Sequence, residues 1–177
     1  MKRLLLSSGI IVMALISIVM VSCSRKEKGR FYSDEYHFSI VFPKTWEIQQ
    51  KEMGTVVIAL SPEEGLKDDF RENITITTEY AGDDVTLEKY FEISQKNMKS
   101  YSTDYRLLYK NYTWLAKKKA MILGFTYSMS GLKLKALQYY IINNNRAYVI
   151  TCTGLPHTFG RYEERFLTIV RSFRFEK

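Results

Sequence analysis

Residues 119–153 read KAMILGFTYSMSGLKLKALQYYIINNNRAYVITCT, and this stretch decides the fold. Near its middle, Ser130-Gly131 can form a two-residue turn of the kind that joins antiparallel strands. A turn at that point pairs positions whose residue numbers sum to 261. We therefore predict a hairpin that joins residues 119–129 to residues 132–142.

The predicted register suits a sheet with two distinct faces. Phe125 opposes Ala136 on one face, whereas Thr126 opposes Lys135 on the other. Apolar side chains therefore meet apolar ones and polar side chains meet polar ones, and a slip of one residue would exchange the two faces. Farther from the turn both faces become apolar, and so does the segment that follows a second turn at 143–145. Strands of that kind lie in a sheet that is covered on both sides.

Two amphipathic segments can provide this cover. One follows Thr86 and the other follows Thr158, and threonine is a suitable N-cap. Their apolar residues recur at the helical spacing of three and four positions, namely Leu87, Tyr90, Phe91 and Met98 in the first segment and Phe159, Tyr162, Phe166, Ile169 and Val170 in the second. Alternating residues elsewhere predict shorter strands, at 31–32, 36–42, 47–50, 55–60, 73–80, 105–110, 112–116 and 173–175.

The composition limits the class of protein. The 177 residues are 46% hydrophobic and 25% charged with a net charge of +7, which excludes collagen-like, low-complexity and wholly disordered chains. The two cysteines cannot make a disulfide-rich scaffold, and the two histidines leave little material for a zinc site. All 25 aromatic residues lie in the 155 residues after position 22. A single domain of that size needs neither a metal nor a disulfide to hold it together.

Residues 1–22 have the order of a secretory signal peptide. A basic start precedes an apolar run over 4–21, and a small residue stands before the cleavage point. The sequence MVSC at 20–23 resembles the lipobox of bacterial lipoproteins. That resemblance implies that the thiol of Cys23 carries diacylglycerol and that Cys23 is the first residue of the mature protein.

An uncleaved transmembrane anchor is the alternative, because the 18 residues of the apolar run are just long enough to span a bilayer. The basic residues at 25–28 disfavour it, since they would lie on the less positive side of the membrane. Both interpretations attach the protein to a membrane of the bacterial cell envelope, on its periplasmic or its outer face. We therefore divide the chain into a lipoprotein signal peptide at 1–22, a lipidated tether at 23–29 and one domain at 30–177.

Both ends of the domain resemble a known family. YHFSIVFPKTW at 36–46 resembles the opening of PsbP-like domains, and AYVITCT at 147–153, with the helix after it, resembles their C-terminal signature. The family includes a photosystem II subunit, a Ran-binding protein and bacterial lipoproteins. The resemblance implies an α+β fold, a single-domain α/β/α sandwich with a central antiparallel sheet and helices on both faces. It brings no catalytic motif.

No arrangement of residues predicts an enzyme. His37 lies in a predicted strand and His157 in a loop, and neither belongs to a hydrolase or metalloprotease motif. Cys152 lies in an apolar strand, where a cysteine behaves as a small buried hydrophobe. Three acidic pairs lack the spacing of a calcium-binding loop, namely Glu63-Glu64, Asp68-Asp69 and Asp83-Asp84. We therefore predict no catalytic, metal or cofactor site.

Five lysines could form a basic contact patch, namely Lys117, Lys118, Lys119, Lys133 and Lys135. A basic face with aromatic residues close by, here Tyr139 and Tyr140, is also what nucleic-acid binding requires. Because the protein is predicted to be exported to a membrane surface, we expect no nucleic-acid ligand. Lipid headgroups or an acidic partner are the ligands that we expect for such a patch.

Three functions are considered from the sequence, and the least favoured is an enzyme, which would need His157 or Cys152 beside a carboxylate in a cleft. The first is a membrane-anchored, non-enzymatic domain that binds or stabilises a protein partner in the cell envelope. The second is a lipoprotein that binds a small apolar or lipid ligand in a tyrosine-lined cleft at the sheet edge. A deep apolar pocket would favour the second function, whereas a broad exposed apolar patch would favour the first.

The lipobox gives a direct test of the anchor. Replacement of Cys23 by alanine removes the thiol that the lipid would modify, so we expect Cys23→Ala to abolish metabolic labelling with palmitate. The variant should accumulate as an unprocessed or a soluble form. Labelling equal to that of the unaltered protein would exclude lipidation at Cys23 and leave the transmembrane anchor as the interpretation.

Overall fold

The computed structural model describes residues 27–66 and 68–177. The predicted signal peptide and Cys23 lie outside the described residues. In chain order the elements are β1 (Arg30–Ser33), β2 (Phe38–Val41), β3 (Glu47–Gln50), β4 (Val57–Leu60), β5 (Asn73–Tyr80), α1 (Leu87–Tyr101), β6 (Thr103–Leu115), β7 (Lys118–Met129), β8 (Leu132–Asn143), β9 (Arg146–Gly154), α2 (Phe159–Arg171) and β10 (Arg174–Phe175). Neither helix of this part of the chain has the length and apolar character needed to cross a bilayer.

Seven strands form one antiparallel sheet in the order β3-β4-β5-β9-β8-β7-β6. Strands β6 to β9 follow one another along the chain as a meander, and β5 pairs with β9 over eight positions. Strands β3 and β6 are therefore the two edges of the sheet. The three short strands β1, β2 and β10 form a separate small sheet in the order β1-β2-β10.

Each face of the seven-stranded sheet has its own cover. Helix α1 packs on the face that carries Leu123, Phe125 and Tyr140, and this face is termed the α1 face. Helix α2 and the small sheet pack on the opposite face, termed the α2 face, which carries Leu137 and Ile150. Full burial of one such side chain contributes about 1.5–3 kcal/mol. The central sheet with helices on both faces confirms the predicted α/β/α sandwich.

The hairpin of β7 and β8 has the predicted register. Phe125 pairs with Ala136, and Thr126 pairs with Lys135. The two turn residues, Ser130-Gly131, have φ angles of 52° and 81°. Positive φ at both central positions is the geometry that matches the right-handed twist of the flanking strands. The turn and the alternation of side chains therefore favour the same pairing.

The hairpin of β6 and β7 has no turn signal in its sequence. Ala116 and Lys117 join the strands with φ angles of 49° and 63°. A left-handed conformation costs a residue with a Cβ atom about 1–2 kcal/mol, so the long β6–β7 ladder must impose this turn. The strand segments predicted at 105–110 and 112–116 belong to one continuous strand, β6, which ends at Leu115 and has two register shifts in its first half.

Two local predictions are also corrected. His37 is predicted to lie in a strand, but it lies in the β1–β2 turn with a φ of 50°, where its carbonyl accepts a 2.9 Å hydrogen bond from the backbone of Glu176. Thr158 stands at the N-cap position of α2 but makes no side-chain capping bond, because its backbone is helical (φ −97°, ψ −23°) and not extended as a capping residue requires; its hydroxyl donates to the carboxylate of Glu72. Thr86 does accept a 3.2 Å backbone hydrogen bond at the start of α1, which confirms that cap.

The two faces of β7 predict different effects of two neighbouring substitutions. Phe125 is 2% exposed, so Phe125→Ala should cost about 3–5 kcal/mol through lost burial and an unfilled cavity. Thr126 is only half-buried, and Thr126→Ala should cost about 1 kcal/mol or less. Urea denaturation of both variants measures the difference. Equal midpoints, or a less stable Thr126→Ala, would contradict the register.

Candidate binding surface at the β6 edge

The structure does not bring Cys152 and the two histidines together. Cys152 is fully buried on the α2 face, and burial raises the pKa of its thiol well above the usual range. A thiol with so little thiolate and no access to solvent is unsuited to nucleophilic attack. His37 and His157 are both exposed, and no carboxylate of residues 27–66 or 68–177 lies within ion-pair distance of either imidazole.

Two residues of the predicted acidic pairs, Glu64 and Asp68, make local contacts. Glu64 pairs with Arg161 at 3.2 Å and accepts a 2.5 Å hydrogen bond from the hydroxyl of Tyr162. Asp68 accepts a 2.8 Å hydrogen bond from the backbone of Glu64. These residues line a depression of about 490 Å³ beside His157, but the described residues contain no group of three or more possible ligands able to hold a metal ion. The contacts of Glu64 and Asp68 are therefore those of a folded surface loop.

The five lysines of the expected patch lie in two separate places. Lys119 is on the α1 face, where its ammonium pairs with Glu88 at 2.8 Å, and Lys117 and Lys118 adjoin it at the β6–β7 turn. Lys133 and Lys135 point to the α2 face, and the ammonium of Lys135 lies 4.5 Å from the centre of the Phe159 ring. Seven residues of strand, about 23 Å, separate position 119 from the partner of Lys135 at position 126. The lysines do not form one continuous patch.

Edge strand β6 exposes five large apolar side chains between Leu107 and Trp114, and they lie on both faces of the sheet. Trp114 is 75% exposed and Tyr112 is 55% exposed, and the other members of the row are Leu107, Leu108 and Tyr109. Exposed apolar side chains of this size, gathered on one strand, are typical of interaction sites, and tryptophan and tyrosine dominate the binding energy of protein interfaces. This row of five residues is termed the β6 strip.

The ring of Tyr109 has a fixed position within the β6 strip. It covers Gly124 of the neighbouring strand so closely that a Cβ atom at position 124 would lie 2.5 Å from the ring. An aromatic residue opposite a strand glycine fills the space that the missing side chain leaves. Gly124 therefore holds one aromatic residue of the strip flat against the sheet, on the α2 face.

A charged contact holds the aromatic residues on the other face. The ammonium of Lys119 lies 3.9 Å from the centre of the Tyr112 ring, and Lys119 pairs across the strands with Trp114. The hydroxyl of Tyr112 donates a 3.1 Å hydrogen bond to the same Glu88 oxygen that binds Lys119. The ammonium of Lys119, a backbone N–H and this hydroxyl together lower the pKa of Glu88 to about 2.

A groove separates the β6 strip from helix α1. It has a volume of about 330 Å³, and its apolar floor consists of Phe91, Leu107 and Leu123. Lysines form much of its wall, Lys96 and Lys99 on α1 and Lys110 on β6. Glu92 and Gln95 complete the lining, so no tyrosine lines this groove of the described structure.

The groove exists because α1 crosses the sheet over its centre. The helix packs against β7 and β8, and Tyr90 and Phe91 are its buried residues. Its aromatic side chains meet Tyr140 of β8 at ring distances of 6.2 and 5.2 Å. Strand β6 lies two positions away from β8, at the margin of the helix. Tyr105 and Tyr112 reach α1 through hydrogen bonds to Gln95 and Glu88, and the part of β6 between them stays open to the groove.

The sequence contains a signal for this surface that simple alternation does not detect. The segment LLYKNYTWL at 107–115 has apolar or aromatic residues at both odd and even positions. Such a pattern is typical of a strand buried on both faces. At the edge of the sheet the same pattern instead leaves both faces partly open, so the strip becomes visible only when the strand order is known.

No protein-family model and no curated protein matches the chain. Solved structures do match. Cyanobacterial PsbP from Synechocystis sp. PCC 6803 is 13% identical with a TM-score of 0.65, over 88% of this chain and 98% of that one. LpqN, involved in cell envelope biogenesis of Mycobacterium tuberculosis, is 13% identical with a TM-score of 0.62, over 79% and 83% of the two chains. The Ran-binding protein Mog1p of Saccharomyces cerevisiae is 10% identical with a TM-score of 0.55, over 82% and 94%.

These likenesses show that the chain has a PsbP-like fold. The matches cover most of each chain, so the whole domain is shared and not one motif of it. The resemblance of residues 36–46 and 147–153 to the ends of PsbP-like domains is confirmed at the level of fold. At identities of 10–13% the likeness carries no residue of a functional site from one protein to another.

The lowered pKa of Glu88 predicts how its ion pair responds to acid. Because the folded-state pKa lies below the usual 4.5, the pair stabilises the domain above about pH 4.5, and this stability is lost as the pH falls toward 2. Glu88→Gln should therefore lower the free energy of unfolding at pH 7 by about 0.2–1 kcal/mol, the usual range for exposed ion pairs, and lower the melting temperature slightly. The difference from the unaltered protein should disappear near pH 2.

Glu92→Gln is the matched control on the same helix, since no ion pair joins Glu92 to a cation of the described residues. A difference in melting temperature between Glu88→Gln and the unaltered protein that stays constant from pH 7 to pH 2 would contradict the prediction. It would show that the stabilisation by Glu88 does not depend on its ionised carboxylate.

Proposed function

We propose that this chain is a lipid-anchored, non-enzymatic protein of the bacterial cell envelope whose PsbP-like domain binds a protein partner through the β6 strip. The observation that carries the proposal is the row of exposed aromatic and aliphatic residues on an edge strand, with Trp114 75% exposed. Large apolar side chains that face solvent are costly unless a partner covers them.

The geometry supports binding over catalysis. Cys152 is buried, and among the described residues no carboxylate is within ion-pair distance of the imidazole of His37 or of His157. A hydrolytic site would need a nucleophile, a base and an orienting group within hydrogen-bond distance of each other. The fold is also shared with a Ran-binding protein, whose description fits a binding role, and with a protein involved in envelope biogenesis, whose description fits the cell envelope.

The anchor in this proposal rests on the lipobox-like sequence at 20–23. A lipid on Cys23 would leave only residues 24–29 between the membrane and β1, a reach of about 20 Å when fully extended. The domain would then meet partners that are themselves at or in the membrane. Lys117 and Lys118 at the β6–β7 turn are exposed and suit lipid headgroups or an acidic partner.

The second candidate function, a small apolar or lipid ligand in a cleft, has one supporting feature. The groove beside α1 has an apolar floor and reaches the lower end of the usual size range of ligand sites, at about 330 Å³. It is open along the sheet edge, and lysines line it in place of the tyrosines that the sequence predicts. A broad exposed strip next to an open groove favours a protein partner over a small enclosed ligand.

Site-specific photocrosslinking in the native envelope tests the proposed function. A benzophenone amino acid at Trp114 or Tyr112 should give discrete protein adducts, because both side chains face outward. Tyr80 is the matched control, an aromatic residue that is 62% exposed on β5, away from the strip. Mass spectrometry identifies the adducts.

Two results would contradict the proposal. Adducts of equal yield at Tyr80 would show that contacts at the strip are unspecific. Lipid adducts alone at Trp114 would show that the strip meets the membrane and not a protein.

A further inference from the structure

We propose that the partner supplies an extended, acidic segment that pairs with β6 as an eighth strand and places its carboxylates against Lys96, Lys99 and Lys110. This inference rests on the proposed function, because it assumes that a protein is what covers the β6 strip. It adds the mode of binding and the chemistry of the bound segment.

The backbone of β6 is available for such pairing. The strand pairs only with β7, and no other described strand lies beyond it. Both register shifts fall before Tyr109, so residues 109–115 form a regular ladder of seven positions. An edge of that length, about 23 Å, can accept the backbone hydrogen bonds of a strand of common size. Exposed edges of this kind are the sites at which extended peptides add to a sheet.

The groove gives the added strand a place for its side chains. An eighth strand would lie beside β6, and every second side chain would point to the α1 face. On that face Lys110 stands on the strand, and Lys96 and Lys99 stand three positions apart on the facing helix. The apolar floor between them suits short aliphatic groups, whereas the lysines suit carboxylates at the ends of the side chains.

The positive charge of the groove favours an acidic segment as the strand that pairs with β6. Among the described residues no carboxylate pairs with Lys96, Lys99 or Lys110, and Glu92 is the one acid in the lining of the groove. A second copy of this chain would bring the same three lysines to the same edge, and like charges across an interface cost binding energy. An acidic segment would instead bring the complementary charge and would be steered to the groove. We therefore assign the edge to a partner strand and not to a dimer.

Selection from a displayed library of random octapeptides tests the inference on the full-length protein in detergent micelles. The enriched peptides should contain aspartate or glutamate at alternate positions and should lack proline. Their affinity should fall about tenfold or more for Lys99→Glu/Lys110→Glu. The control Lys44→Glu/Lys133→Glu makes the same change of charge at exposed positions away from the groove, and it should change the affinity less than twofold.

Proline substitution tests the backbone pairing separately. The N–H groups of successive residues in β6 point alternately toward β7 and toward the open edge. Of the two variants Asn111→Pro and Tyr112→Pro, one therefore removes a hydrogen bond of the β6–β7 ladder, and the other removes an N–H group at the open edge. The variant that keeps the melting temperature should lose peptide binding. In the unaltered protein, the bound peptide should also slow hydrogen exchange of amides within 109–115.

Several results would overturn strand addition. They are the absence of enrichment, enrichment of basic peptides, equal effects of the two double charge reversals, normal peptide binding by the stable proline variant, and unchanged exchange at 109–115. A dimer in sedimentation would show that a second copy of this chain occupies the edge. Binding of anionic vesicles in place of peptides would show that a membrane occupies it. Either result would contradict the assignment to an acidic partner strand. If the photocrosslinking experiment still gives protein adducts at Trp114 alongside any of these results, the proposed function stands and only the strand addition is contradicted.

Discussion

Strands β8 and β9 are apolar on both faces, and the rest of the structure depends on covering them. Tyr139 and Tyr140 are neighbours in β8 that point in opposite directions, and both are buried. One lies among the side chains of the α2 face and the other beneath helix α1. A two-layer arrangement would expose one of these faces to water, so the fold needs a layer on each side. The two helices and the small sheet supply those layers.

The same constraint explains where a binding surface is available. Helix α1 lies where it can bury Tyr90 and Phe91 against the centre of the sheet, and its 15 residues do not also cover the edge. Strand β6 is needed to flank β7, but it receives little cover itself. Phe91 and Leu123 in the floor of the groove belong to the core, but the exposed residues of the β6 strip are the part of the sheet that the core does not require. A protein can change such residues for binding without loss of the packing that holds the domain together.

Features of the fold could be predicted from the sequence where the turn residues and the alternation of apolar and polar side chains favour the same structure. The register of β7 and β8 could be predicted because Ser130-Gly131 favours positive φ and the flanking residues alternate consistently. The turn at Ala116-Lys117 could not be predicted, because neither residue favours the left-handed region and only the finished ladder imposes it. The groove could not be predicted either, since it depends on where α1 crosses the sheet. The exposure of Trp114 follows from strand order, which no single segment encodes.

The strand order also has a consequence for the sequence of events in folding. Strands β6 to β9 are joined by two-residue turns and can pair from local contacts alone, whereas β5 must find β9 across the whole of α1 and the three strands between them. Contacts between distant segments are slow to form because a long loop must close first. We therefore expect the C-terminal meander to assemble first and to serve as the template on which β5, β4 and β3 are laid down. In a chain that emerges N-terminus first, strands β3 to β5 must wait for almost the entire domain, because the strand that receives them is the last one of the large sheet to appear.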